Sequence, residues 1–418
     1  MTTTSTAIDA VRTVLPPDRA RAPETYAIDG VTPAAAFRPE TRDEVARLLA
    51  SCDAATLAVT PLGARTATAL GRPLTAYDVA IDTTALARII EYEPADLTIT
   101  VEAGMTLAML QQTLGANSQF LPADLPPSDA ATVGGLLATA RPGAWRNHLP
   151  NQRDLILGLT VASPEGTLVH SGGKVVKNVS GYDLHRMHTG ALGALGIIVE
   201  ATFKLAPRPP AIRSWAIQCN TLTQAADLAF LLWNQSLPLR ALSLLTSEAS
   251  RAASLTPAPH VLLECGGYED VLVRCEEIVR RETVLARAIG DEAIGNQPWD
   301  ALRLAAGDLT KTVLRLGIPS SRVAETIEAA AAAGCTAWGH LAAGSVLAHG
   351  PHIEEPAIES LRALAQSHGG FLQIESAPAP LRRTIDPFGA AERDLVASLK
   401  HQFDPRGTLN RGRWQEHA

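Results

Sequence analysis

The chain has 418 residues, 46% hydrophobic and 19% charged, which is too long for one ordinary hydrophobic core and too apolar for a disordered polymer. Its net charge of −7 carries no long like-charge blocks, which argues against a nucleic-acid binder. The cysteines, at 52, 219, 265, 275 and 335, form no C-x-x-C pair, so their spacing supports neither a zinc site nor a cysteine-held iron–sulfur cluster.

The start, MTTTSTAIDAVRTVL, lacks the basic head and apolar core of a secretory leader. No later run approaches the ~18 apolar residues of a membrane span. A cytoplasmic protein with free thiols and no direct membrane span is expected. Ala7–Leu15 suits one amphipathic helix, and residues 1–29 form an N-terminal segment. Ala34–Pro39 reads as a short strand, followed by Thr41-Arg-Asp-Glu44, which has the form of a capping box opening a helix with Val45, Leu48 and Leu49 on one face. Leu57–Pro61 reads as a buried strand that runs into the turn Leu62-Gly-Ala-Arg-Thr-Ala, whose glycine and hydroxyl residues could present amides to a phosphate.

From Val79 to Ala103 the pattern is strand throughout, with a hairpin about Pro94-Ala-Asp96. Leu107, Leu110 and Leu114 give a helix ended by Gly115. A proline-fixed loop, Leu121–Asp129, leads to Ala131-Thr-Val-Gly-Gly, where paired glycines opening a helix would leave free amides for an anion. Leu155–Ala162 and Thr167–His170 flank Ser163-Pro-Glu-Gly as a second hairpin. The stretch from Ser171 to Pro207 has glycines at 181, 190, 193 and 196 around a short helix opened by Asp183 and a strand from Gly196, which implies backbone that turns sharply or lets a broad ligand approach. Pro207-Arg-Pro-Pro210 marks a domain boundary. Beyond it, residues 212–380 read as helix-rich and Ala-rich with interspersed strands, Gln224–Asn234 and Ser321–Gly334 being the clearest helices, and the last forty residues as a closing helix and turn.

No two glycines are separated by a single residue, and no G-x-x-x-x-G-K-[ST] occurs, so ordinary dinucleotide and P-loop readings fail. Three segments, 61–68, 131–139 and 181–198, instead offer glycine-bracketed backbone that could share one long dinucleotide.

The set PLGARTATALGRP, FLPADLPPSDAATVGGLLATA, RDLILGLTVASPEG and GGKVVKNVSGYDLHRMHTGALGALGIIVEATFKLAPRP resembles the FAD-binding domain of the vanillyl-alcohol-oxidase (PCMH) type, and most closely the FAD-binding subunits of bacterial glycolate oxidases. The resemblance covers about residues 30–210 plus the C-terminal FDPRGTLN. It implies an α+β architecture: a two-subdomain FAD domain at 30–210, an α+β cap at 211–384, and a segment, 385–418, that returns to the FAD domain. By matching position it implies Pro61, Leu62, Gly63, Ala64, Arg65, Thr66, Pro122, Thr132, Val133, Gly134, Gly135, Ala138, Gly190, Gly196 and Ile198 at the flavin. Where relatives often show Gly-x-Gly this chain has Gly63-Ala-Arg65, and Arg65 could pair with the diphosphate. Neither loop offers the His or Cys that links FAD covalently in many relatives, so non-covalent FAD is expected.

The C-terminal half departs further. Relatives that oxidise 2-hydroxy acids have segments resembling G-H-x-x-D-G-N-x-H, whose histidines hold a metal, and G-E-H-G. Here the first keeps His340 but has Ala343, Ser345 and Leu347 at the Asp, Asn and second His positions, and the second keeps only Glu375. Divalent sites generally want three or more protein donors, so no metal is assigned. His340 and Glu375 remain weak catalytic candidates, and His349 and His352 are solvated or packed histidines on the simpler reading. Without a base near the flavin, hydride removal from a hydroxy acid is slow. The resemblance then implies an accessory subunit whose partners are a homologous catalytic FAD subunit and an iron–sulfur subunit, the complex acting on a small 2-hydroxy acid. An autonomous dehydrogenase and a flavin-free scaffold are the alternatives.

Overall fold

The computed structural model describes residues 2–123, 129–174, 182–389 and 393–414. The centre of the proline loop, 124–128, and the segment 175–181 that includes Gly181 lie outside the described residues.

Two small sheets make the first half. The first is four-stranded in the order Ala20–Arg21, Ala35–Phe37, Val79–Asp82, Val59–Leu62, with the last three strands parallel. Parallel neighbours need a crossover, which the helix Arg42–Ala54 supplies. Thr41 caps it as expected, its hydroxyl accepting from the Glu44 amide at 3.1 Å. The return arm of the capping box differs: the Glu44 carboxylate accepts from the Glu40 amide at 2.7 Å and pairs with Arg19 at 3.2 Å. Val45, Leu48, Leu49 and Cys52 form the inner face, against Ile8 and Val11 of the helix Thr2–Arg12. Burial there pushes the Cys52 thiol up to about 12.

The second sheet is five-stranded and antiparallel, in the order Ile89–Glu93, Thr98–Glu102, Ile197–Lys204, Ile156–Ala162, Leu168–Gly172. Both hairpins form as read from the sequence, and the strand Ile197–Lys204, which follows Gly196, sits between them. The helices Leu107–Gly115 and Val133–Thr139 bury Leu110, Leu114, Val133, Leu136 and Leu137 in the core beside it.

At Ala211 the chain enters an eight-stranded sheet, ordered Gly290–Ile294, Ala211–Gln218, His260–Gly267, Leu239–Leu245, Thr336–His340, Ser345–Gly350, Thr312–Gly317, Phe371–Ser376. The sequence reading has helices with interspersed strands here, but it does not show that the strands join in one sheet. Helices cover one face through Leu228, Leu232, Leu272, Val279, Ile327 and Leu361, while Ala249, Leu302, Ala306, Trp338 and Leu347 bury the other. Strands buried on both sides lose the alternation that marks a half-exposed strand: Leu239–Leu245 is buried at every position. The clearest helices run Leu222–Trp233 and Val323–Ala332.

The chain then returns to the first subdomain slightly before residue 385. In the helix Ala379–Thr384, the buried Arg382 guanidinium donates to the Gly71 carbonyl at 2.9 Å and pairs with Asp29. After the helix Arg393–Phe403, Leu409 bridges Val59 in parallel. This return is held by charge. The buried Lys400 ammonium donates to the carbonyls of Ala194 at 2.9 Å and Leu409 at 2.6 Å and to Asp404 at 2.5 Å. The other contacts of Asp404 are amides, those of Thr408 and Leu409, each at 2.8 Å.

Removing one partner of such a pair strands the other. Asp404→Ala is therefore expected to cost about 3–5 kcal/mol, read as a lower denaturant midpoint with unchanged slope. A loss under about 1 kcal/mol would show that the return is held by apolar contacts instead.

Candidate functional site

A groove opens at the C-terminal edge of the parallel sheet, where strand Val59–Leu62 runs into its turn. Its walls are Thr60, Pro61, Leu62, Gly63, Ala64, Arg65 and Thr66 on one side, Thr132, Gly135, Ala138 and Thr139 on another, with Leu192, Asn410 and Arg413 closing it. Most positions expected at a flavin thus share one concavity.

The structure assigns their parts differently from the sequence. The amides opening the helix Val133–Thr139 are not free: Val133 donates to the Met105 carbonyl at 2.9 Å, Gly134 to Ala103 at 2.7 Å and Gly135 to the Thr132 hydroxyl at 3.2 Å. The loop before it supplies what that helix does not. Among the described residues, the amides of Ala64, Arg65 and Thr66 find no acceptor within the chain. Arg65 occupies φ 62°, the left-handed region where glycine is most at ease. Its guanidinium donates to the Thr25 carbonyl and lies over the Tyr26 ring at 5.3 Å, so it is anchored at the rim rather than loose in solvent.

The remaining positions lie around the groove rather than in it. Pro122 lines a neighbouring cleft with Pro142, Gly143 and Trp145. Val133 is in the core, and a side-chain carbon on Gly134 would press on Ala103 at 3.2 Å. Gly190, at φ 84°, donates to the Leu137 carbonyl at 2.8 Å, fixing the loop against the helix end. Gly196 lets the strand lie on Val161, with which any side chain would collide, and Ile198 is packed in the core. Gly196 and Ile198 therefore shape the support of the groove.

The groove fits a long anionic dinucleotide on three observations. Its loop amides lack acceptors. Two buried oxygens in its wall, Thr60 Oγ1 and Asn410 Oδ1, have no hydrogen-bond partner. A carbon added to Gly63 would strike the Thr132 hydroxyl, so two segments approach there as only glycine allows. Among the described residues the lining contains no histidine or cysteine.

A second cavity, of about 220 Å³, lies between the FAD-type domain and the cap. Gly143 and Trp145 form its floor; Arg240, Glu264, Trp299, Arg303, Trp338 and His340 come from the cap. Sequence reading missed Arg240, although an arginine inside the otherwise apolar LRALSLL strand is itself a signal, because a lone charge is seldom buried without purpose. It pairs with Glu264 at 2.6 Å, both nearly fully buried, and its guanidinium stacks on Trp145 at 4.4 Å.

The weak catalytic candidates are both buried, and each is engaged separately. His340 Nδ1 shares a hydrogen bond with the Ser243 hydroxyl at 2.8 Å, and burial pulls its pKa down to about 4. Glu375 lies between two guanidiniums, Arg141 from the FAD-type domain and Arg315 at 2.6 Å. Burial raises its pKa, but the two cations outweigh that and hold it below the ordinary carboxylate range. His349 is buried against Trp338, at 5.6 Å, with both ring nitrogens unpartnered, while His352 is exposed beside Glu354. Among the described residues no three metal-binding side chains gather. No helix among them is long and apolar enough to cross a membrane.

The protein family described as FAD binding domain matches residues 33–172. Over 85% of its length the chain is 28% identical to glycolate oxidase subunit GlcE of Escherichia coli strain K12, covering 92% of that protein. It is 25% identical to D-lactate dehydrogenase of Anaerostipes hadrus over 89% of this chain and 87% of that one. Among solved structures, p-cresol methylhydroxylase with substrate bound superposes with TM-score 0.77 at 14% identity, over 99% of this chain and 97% of that one. Alkyldihydroxyacetonephosphate synthase gives 0.75 at 15% identity over 97% and 84%. At these identities the two structures bear on the fold alone, an α+β FAD-type domain with a cap.

Gly63→Val is expected to force Thr132 out of place and to abolish flavin uptake, with the far-UV circular dichroism retained; stoichiometric FAD in the purified variant would contradict the groove assignment. For His340, the unfolded value of 6.5 exceeds the folded one, so its contribution to stability is complete above pH 6.5 and is lost as pH falls toward about 4. His340→Gln should therefore flatten the fall of unfolding free energy across that window, by about 3 kcal/mol at most. An unchanged profile would mean that the imidazole is not buried.

Proposed function

We propose that this chain, which belongs to the PCMH-type FAD-binding family, is a non-covalent FAD-binding subunit of a glycolate oxidase-type complex that oxidises a 2-hydroxy acid. In that reading a homologous FAD-linked subunit removes the hydride and an iron–sulfur subunit carries the electrons away.

When bound, FAD supplies the acceptor for a hydride leaving a hydroxyl-bearing carbon. The loop Gly63–Thr66 and Thr132 would hold its diphosphate stretch. What the chain must add for turnover is a group to take the hydroxyl proton, with a pKa near the working pH. His340 does not match that requirement, because its buried imidazole releases a proton at about pH 4. Glu375 does not either, since both its oxygens are taken by Arg141 and Arg315. The unmatched base is the observation that carries the accessory reading, and similarity to a glycolate oxidase subunit over most of both chains supports it.

One feature favours the second reading, an autonomous 2-hydroxy-acid dehydrogenase: the cavity beside Trp145 presents Arg240 and Arg303, guanidiniums suited to a carboxylate, on the same wall as His340. The isolated chain, given glycolate or D-lactate and a dye acceptor, is expected to show no turnover that His340→Ala removes. Turnover of the reconstituted complex should be near normal with His340→Ala in this chain. Turnover by the isolated chain that His340→Ala abolishes and a chelator inhibits would establish the second reading. Acid precipitation is expected to release all the flavin; yellow colour retained in the pellet would reveal a covalent link.

A further inference from the structure

We propose that the end of the chain completes the cofactor site: the Arg413 guanidinium supplies the countercharge to the FAD diphosphate, and the Asn410 amide oxygen accepts from a sugar hydroxyl beside it. The inference rests on the FAD reading above and extends it to residues that the loop and helix motifs do not contain.

Arg413 lines the groove and is 5% exposed. Its Nη1 donates to the carbonyls of Thr68 at 2.7 Å and Leu70 at 3.1 Å, which fix the side chain without neutralising it. Of the two acidic groups whose fields reach it, Asp29 is already paired with Arg382 and the Tyr77 phenol donates to the Tyr26 carbonyl, and among the described residues no carboxylate forms an ion pair with Arg413. Burial and the neighbouring Arg382 cation both work against its charge, holding its pKa down at about 10. A buried guanidinium in a groove whose lining, among the described residues, holds no acidic residue is completed by an anion.

Two further observations identify the kind of anion. Asn410 is 6% exposed and sits at φ 43°, a conformation asparagine tolerates better than most residues. Its Nδ2 donates to the Leu192 carbonyl at 2.5 Å, while Oδ1, a pure acceptor, is unpartnered. Thr60 Oγ1, 2% exposed, is likewise unpartnered. The arginine and the loop amides call for phosphate oxygens, and Asn410 Oδ1 calls for a hydroxyl donor beside them. A diphosphate flanked by polyol hydroxyls satisfies all of them, and FAD carries that arrangement between its ribityl and ribose units. The chain end is in turn seated by Lys400 and by Leu409 on Val59, so the groove acquires its cation only when the return is folded.

The test uses flavin-stripped full-length protein titrated with FAD and riboflavin by fluorescence, and with ADP by thermal shift. Arg413→Gln is expected to weaken FAD at least ~10-fold and to erase the ADP shift, while riboflavin, which lacks phosphate, changes less than about twofold. Arg413→Lys should recover most of the FAD affinity. FAD affinity within about twofold of wild type in Arg413→Gln, or an equal loss for riboflavin, would overturn the proposal, the latter marking a structural residue. If Arg413→Gln does not fold, Asn410→Asp decides: a carboxylate beside the diphosphate should weaken FAD ~10-fold, and unchanged affinity would overturn the proposal. Wild-type protein that takes up no FAD would overturn the cofactor reading itself, whereas FAD uptake indifferent to residues 410 and 413 would overturn only this inference.

Discussion

A single carboxylate, Glu375, stands at the junction on which the architecture depends. It lies on the last strand of the cap sheet, yet one of its guanidinium partners, Arg141, follows the helix Val133–Thr139 of the FAD-type domain, and the other, Arg315, belongs to the neighbouring cap strand. A carboxylate removed from water is tolerated only with its charge matched and its lone pairs occupied, so this position fixes the two halves in one relative placement. Arg141 extends the tie by donating to the Ala306 carbonyl at 3.0 Å, while its own carbonyl accepts from Gln152 at 2.7 Å. Ala306, whose carbonyl Arg141 holds, and Pro142, the residue after Arg141, both line the 220 Å³ cavity.

The groove and the cavity differ in what they present. The groove offers backbone, a turn left without internal acceptors, a glycine that allows Thr132 to approach and a left-handed residue at position 65, with the side chains of Thr60, Asn410 and Arg413 in its wall. The cavity offers large side chains, Trp145, Trp299 and Trp338 around a buried arginine. The contrast suits a long shared cofactor on one side and a small polar ligand, or a site no longer used, on the other. The histidines follow the same logic. Burial lowers the pKa of both His340 and His349, a condition that suits packing more than proton transfer near neutral pH.

Local patterns in the chain were enough for the Thr41 cap and both hairpins, because these depend on neighbours a few residues apart. Thr41 caps the helix that follows, and the turn residues fall where the strands reverse, whereas the caps at Thr106 and Thr132 emerge only in the structure. The order of glycine-bearing segments also carried the family resemblance, and with it the fold and the cofactor. The eight-stranded sheet was not legible, since strands covered on both faces carry no alternation.

What the tertiary structure alone decided is which groups are left over. The sequence assigns amides to two turns alike; only the fold shows that the carbonyls of Met105 and Ala103 consume those of 133 and 134, beside the Thr132 hydroxyl that takes that of 135, while the loop at 64–66 keeps its own. It likewise offers His340 and Glu375 as a remnant pair, and only packing shows Glu375 spent on Arg141 and Arg315 and His340 on Ser243. Arg413, more than 340 residues from the carbonyls of Thr68 and Leu70 that hold it, belongs to no local pattern at all. A residue's type and near neighbours determine what it can bond; whether it has a bond to spare depends on distant segments, and that is settled only when the chain has folded.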